Sequence, residues 1–461
     1  MQKGVPINPV VTILGGGLAG SEAALQLAQR GVSVRLYEMR PKQQTPVHVG
    51  GDMAELVCSN SLKSLDASSA SGSLKYELSV LGSELLRCAL KTRVAAGGAL
   101  AVDREAFAHM VTQRIESHPH IEVVRQEFTG LDSLIAAGSP CIIATGPLTS
   151  STLEQELVQL LGNESLAFYD AAAPIVEADS LDREKLFYQS RYEKNGADYL
   201  NAPLNQEQYN LFITELLKAR RVIPREFENS ELFQACQPIE EVARKGHDTL
   251  RFGALKPVGL IDPITQRRPW AVVQLRPENI QGSAFNLVGF QTNLAFSEQE
   301  RVFRLIPGLE QAQFLRYGVM HRNTFIDSPR VLSRTFALKA HPVLRFAGQI
   351  TGTEGYVEAL ASGLLAALNC YAEIQGFDPV ILPEETLCGS LFAYATDPAQ
   401  VNYQPLHVNY GILKPLEQPQ KRKKERYAAY SARAKAAIDT FREQHANLGF
   451  LPTYPVPFLL P

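Results

Sequence analysis

Val10 to Leu14 is a short, unbroken apolar run, followed by Gly15-Gly16-Gly17-Leu18-Ala19-Gly20 and then an Ala/Leu-rich stretch ending near Gly31. That order predicts a buried strand, a glycine turn and a helix. Val32, Val34 and Leu36 then alternate with Ser33 and Arg35 as far as Tyr37-Glu38, the two-residue period of a second strand. The chain therefore opens on a compact βαβ unit. Further strands are predicted at Ile121–Val124 and at Pro140–Gly146, the latter stopping on a glycine. From 165 to 330 the pattern changes, with more Pro and aromatic residues and β-rich segments such as Trp270 to Leu275 and Phe285 to Phe290. Leu344 to Gln349 restores an apolar strand ending in glycine, and a small-residue helix is predicted from about Tyr356 to Cys370. The expected organisation is a first domain in two parts, 1–164 and 331–461, interrupted by a second domain at 165–330.

Composition changes this picture little. With 461 residues, 45% hydrophobic and 20% charged, the chain can bury a large core and is expected to form two domains. The segment MQKGVPINPV lacks the basic and apolar regions of a secretory signal, and no uninterrupted apolar run reaches the ~20 residues that span a bilayer. A cytoplasmic location without a membrane partner is expected. The six cysteines are widely spaced with no Cys-x-x-Cys pair, so neither a metal site nor a disulfide framework is signalled. A net charge of −3 provides no general attraction to a polyanion, and a nucleic-acid partner would have to rest on local patches.

Gly15, Gly17 and Gly20 fit G-x-G-x-x-G between a strand and a helix, the turn that brings pyrophosphate onto free amides at a helix N-terminus. Gly16, Leu18 and Ala19 complete the turn. Glu38 ends the next strand 23 residues after Gly15, where an acceptor for a ribose hydroxyl belongs, and Arg40 falls beside it. Ala144-Thr145-Gly146 resembles the strand-end ATG motif of glutathione-reductase-type flavoproteins, and Gly348-Gln349 resembles the second flavin-facing turn of that group. Together they imply FAD. The expected fold is α/β, a glutathione-reductase-type FAD-binding Rossmann domain with an inserted α+β domain.

Ala54 to Ser64, Leu36 to Pro41, Gly97 to Arg104, Tyr169 to Val176 and Tyr317 to Phe325 resemble the TrmFO family of folate- and FAD-dependent tRNA (uracil-5-)methyltransferases. The resemblance implies that FAD is the cofactor, methylenetetrahydrofolate the carbon donor, NAD(P)H the reductant and the T-loop uridine of tRNA, position 54, the substrate. It makes Cys58 and Cys236 the two catalytic thiols. Uracil C5 is a poor nucleophile, which calls for thiolate addition at C6 and a base to remove the C5 proton. Cys236 is taken as nucleophile and Cys58 as base or proton relay, although the reverse satisfies the same motifs. Cys88, Cys141 and Cys370 are expected to be small buried apolar residues, and Cys388 is left open. His321 is a candidate to stack on the folate pterin. Arg220 and Arg221, and Lys421, Lys423 and Lys424, form basic clusters that could meet RNA phosphates or simply be solvated. A flavin oxidoreductase of a small metabolite and a non-catalytic RNA-binding flavoprotein share the dinucleotide motifs, but the former has no use for two thiols in polar loops.

Overall fold

In the computed structural model, strand β1 (Val11–Leu14) occupies the middle of a five-stranded parallel sheet. Strand β2 (Val34–Tyr37) and then Ile121–Val124 lie on one side, Cys141–Ile143 and Leu344–Phe346 on the other. The structure describes residues 9–45, 47–162, 165–171, 173–191, 198–222, 237–400, 403–418 and 420–458, with backbone alone at 165–171 and 321–323. Every residue of β1 is buried, as a central parallel strand covered on both faces requires. The strand after the long interruption, Leu344–Phe346, joins the same sheet as β1, so the chain returns to its starting sheet.

Helix α1 (Leu18–Ala28) lies against the helix Tyr356–Gln375. Their backbones pass so closely that a Cβ at Gly363 would run into the Ala19 carbonyl oxygen. The second of these helices outlasts its predicted end at Cys370 and stops at Gly376, whose φ of 72° provides the left-handed C-cap. Its length and composition would suit a membrane span, but 83% of its most apolar window is buried inside the protein. Its polar positions also face inward with partners. Ser362 Oγ accepts from the Gly348 amide at 2.7 Å, and the Asn369 side chain both accepts from and donates to the Val380 backbone.

A second hydrophobic core, between Ala173 and Ala312, is built on a six-stranded antiparallel sheet. Its strands run in the order Phe187–Tyr188, Leu200–Leu204, Ala271–Pro277, Ala284–Leu287, Ile175–Glu177, Phe314–Arg316. The helices Gln206–Lys218 and Phe296–Phe303 cover it, with Tyr209, Phe212, Phe290 and Phe303 fully buried. The chain leaves and re-enters through an antiparallel ribbon, Ser165–Ala171 against Met320–Ile326. The two cores meet at Asn60. Its Nδ2 donates to the Val102 and Pro277 carbonyls, and its Oδ1 accepts from Arg276 Nε at 2.7 Å.

Candidate active site

The glycine turn sits directly above β1. Gly15 adopts φ +98°, and a Cβ there would lie 2.6 Å from the Ala144 carbonyl oxygen, so this position accepts glycine alone. A Cβ at Gly20 would strike the Gly15 carbonyl, which is why α1 can start so close to the strand. Gly17, by contrast, faces open space with nothing within 4 Å of its would-be Cβ. That opening leads into a cleft of about 1060 Å³ of atom-free space. Gly15, Gly17, Leu18, Ala19, Glu38, Arg40, Ala144, Thr145, Gly146, Gly348 and Gln349 all line it, whereas Gly16 and Gly20 shape the turn from behind.

Glu38 is buried and its acceptor capacity is filled. Oε2 accepts from the Gly16 amide at 2.9 Å and from Arg40 Nη2 at 3.2 Å, while Oε1 accepts from the Arg40 amide and Nε, each at 3.0 Å. Burial works to raise its pKa, but the Arg40 hydrogen bonds and charge outweigh it and hold the carboxyl below its ordinary value. Arg40 in turn reaches Glu55 at 3.0 Å, giving a Glu38–Arg40–Glu55 triad on the cleft wall.

Cys58 is half-buried on the loop entering Ser61–Ser64. Its amide and that of Ser59 both donate to Tyr356 Oη, at 2.8 and 3.1 Å. Tyr356 and Val57 line the cleft, which puts the Cys58 loop at its edge. Burial, helped by the neighbouring Cys58 and opposed by Arg104, pushes the Tyr356 hydroxyl far above the ordinary phenol range. Arg104 holds the loop on one side through the Leu56 carbonyl, and Arg276 holds it on the other through Asn60. Arg316, bonded to the Val47 carbonyl at 2.9 Å, completes a group of three guanidinium groups near Cys58. Burial lowers the pKa of Arg276 and Arg316, whereas at Arg104 the attraction of Glu278 overcomes burial. Motif reading missed these arginines and Tyr356, since nothing local relates them to Cys58.

Cys236 lies outside the described residues. The chain on either side of that segment is anchored on one stretch of backbone, Val222 N to the Asn293 carbonyl and Ile239 N to the Gln291 carbonyl. His321 belongs to the ribbon strand Met320–Ile326, opposite Asp170, and that strand packs on the Gly146–Leu148 turn at the cleft rim. Its side chain is not among those described. Arg220 is exposed, but the Arg221 side chain is only 9% exposed and pairs with Glu241. Lys421, Lys423 and Lys424 are exposed at the start of the helix Lys423–Gln444, with Lys423 Nζ 5.3 Å from the Tyr427 ring centroid. Cys88, Cys141, Cys370 and Cys388 are all buried, and burial raises the pKa of each. Cys388 is the second residue of the helix Leu387–Ala395, where its amide donates to Glu77 at 2.9 Å.

A family model described as glucose inhibited division protein A matches residues 10–378. The methylenetetrahydrofolate–tRNA-(uracil-5-)-methyltransferase TrmFO of Geobacter sulfurreducens is 54% identical over 430 residues, 93% of this chain and 98% of that protein. The chain belongs to the TrmFO family. The TrmFO proteins of Desulfitobacterium hafniense and Bacillus licheniformis are 52% and 50% identical, each across 94% of this chain and 98% of their own length. Among solved structures, Aquifex aeolicus GidA superimposes with a TM-score of 0.70 at 16% identity, covering 96% of this chain and 76% of that one. At such identity the likeness concerns the fold, and it shows that this TrmFO-family chain has the α/β architecture expected from its sequence.

Proposed function

We propose that this chain methylates uracil C5 in tRNA, at the T-loop uridine, with methylenetetrahydrofolate as carbon donor. One observation carries the reading: the cleft under the glycine turn is continuous with Val57 and Tyr356, which flank Cys58 in space. The dinucleotide cleft and the loop that carries a candidate catalytic thiol therefore adjoin. The residues present suit FAD, because Gly17 and Gly146 leave open space where backbone must approach pyrophosphate, and Glu38 stands at the end of β2. When bound, FAD supplies the hydride that turns the transferred methylene into a methyl group, and NAD(P)H restores the reduced flavin.

This chain's own groups do the rest. Cys236 adds as thiolate to uracil C6, which gives C5 the electron density to bond the donor's methylene carbon. Cys58 takes the C5 proton as the methylene–nitrogen bond breaks and tetrahydrofolate leaves, and once a hydride has reached the exocyclic methylene, release of the Cys236 thiolate from C6 restores the pyrimidine double bond. Tyr356, Arg104 and Arg276 hold the Cys58 loop in place. We assign the pterin contact to His321, whose strand packs on the Gly146–Leu148 turn.

The half-reactions should separate in variants. Cys236→Ala should remain yellow and be bleached by NAD(P)H, yet neither methylate unmodified tRNA nor trap a T-loop RNA containing 5-fluorouracil. Cys58→Ala should lose turnover and retain the trapped adduct. The opposite pattern exchanges the two roles, and full methylation by both variants would sink thiol catalysis.

A further inference from the structure

Residues 244–270 carry six basic side chains, Arg244, Lys245, Arg251, Lys256, Arg267 and Arg268, against two acidic ones, Asp248 and Asp262, in a chain whose net charge is −3. One acid is turned inward and the other is paired. Asp262 is buried, accepting from the Ile264 amide and Thr265 Oγ1, each at 2.9 Å, and Asp248 is engaged by His247 and Arg251. Lys256, Arg267 and Arg268 have no acidic partner among the described residues.

The segments 251–256 and 270–272 run side by side. Val272 N donates to the Leu255 carbonyl, laying 251–256 along the start of the strand Ala271–Pro277. The Arg251 guanidinium lies 3.6 Å from the centroid of Trp270 and 5.9 Å from that of Phe252, and its Nε donates to the Trp270 carbonyl. Phe252 itself is 78% exposed and Ile264 72%. One end of this face reaches the residue after Cys236, through Lys245 and Gln237. The other reaches the seam between the cores, through Arg191 on the Lys256 carbonyl and Tyr199 on the Ala96 carbonyl.

We propose that this face docks the folded tRNA substrate, with Lys256, Arg267 and Arg268 on phosphates and Phe252 stacked on an unpaired base. The inference rests on the functional reading above and locates the partner's footprint. Basic side chains without acidic partners, on a stretch that also exposes an aromatic ring, are the combination that phosphate binding and base stacking use, whereas a lipid surface calls for a broad apolar face. Neither basic cluster singled out from the sequence includes these residues.

Binding of unmodified tRNA to the holoenzyme should be measured across a salt series. Arg267→Ser with Arg268→Ser should flatten the log–log salt dependence by up to about two units, roughly one for each phosphate no longer neutralised. Phe252→Ala should weaken binding at least about fivefold with little change in slope, and Phe252→Trp should restore it. Flavin content and bleaching by NAD(P)H should stay at wild-type levels in all three. If the wild type methylates tRNA while these variants bind it with unchanged affinity and slope, the surface is wrong and the functional reading stands. If the wild type methylates no tRNA, both fall. Weaker binding of the variants to anionic phospholipid vesicles, with tRNA binding unchanged, would reassign the face to a membrane.

Discussion

At Glu38 a single carboxylate receives four hydrogen bonds, three of them from Arg40. A ribose hydroxyl must therefore displace one of these donors or share an oxygen with it. Glu38→Ala removes the acceptor and leaves the buried Arg40 facing Glu55 alone, so the variant should purify with less flavin per protein, as read from its absorbance ratio. Full flavin retention would exclude the ribose role. The same group predicts a pH effect. Its pKa is lower in the folded protein, so its stabilisation is present above the ordinary carboxylate value, ~4.3, and is lost as pH falls through the folded-state value. Glu38→Gln should flatten that acid limb in denaturation measured between about pH 5 and pH 3.

Two helices are capped by carboxylates from elsewhere in the chain. Glu22, on α1, accepts from the amides of Glu84 and Leu85 at the start of Glu84–Lys91, and Glu77 does the same for Leu387 and Cys388. Each cap satisfies amides that the helix cannot, while fastening one helix to another. Burial raises both carboxyls to about 7 against these hydrogen bonds. A raised pKa favours the protonated fold, so this contribution is greatest below ~4.3 and declines as pH rises towards the folded value. Glu77→Ala should destabilise the protein by about 1–3 kcal/mol, because two buried amides lose their acceptor. A shift in the urea midpoint measures it, and an unchanged midpoint would make the cap dispensable.

Across the whole molecule, Asn60 joins the two cores through three hydrogen bonds, two of them to Pro277 and Arg276 of the second core. Asn60→Ala would leave the buried Arg276 without that acceptor and should cost about 2–3 kcal/mol, read as a lower denaturation midpoint. If the midpoint does not move, the seam is held elsewhere. The C-terminal lysines act at the same scale. Neutralising Lys421, Lys423 and Lys424 together should weaken tRNA binding and flatten its salt dependence, by up to about one unit for each phosphate that a lysine would have neutralised. An unchanged slope would make them a solvated helix end.

What the sequence determined alone is whatever depends on neighbours in the chain. The strand, glycine turn and helix from Val11 to Ala28, the alternation leading to Glu38 and the return strand Leu344–Phe346 were legible because period and steric demand are local. The helix Tyr356–Gln375 was legible in kind and short by five residues, since its stop depends on the backbone that Gly376 adopts. Charge meaning was not legible. Arg221 reads as one of a basic run, yet the fold turns it inward onto Glu241, while Lys256, Arg267 and Arg268 look ordinary in sequence and end with no acidic partner among the described residues. The Cys58 surroundings were equally hidden, for Tyr356 lies 298 residues away and Arg276 reaches the loop across the seam between two cores. Long-range proximity is selected by the packing of whole layers, and only the tertiary structure could decide which distant side chains would stand beside that thiol.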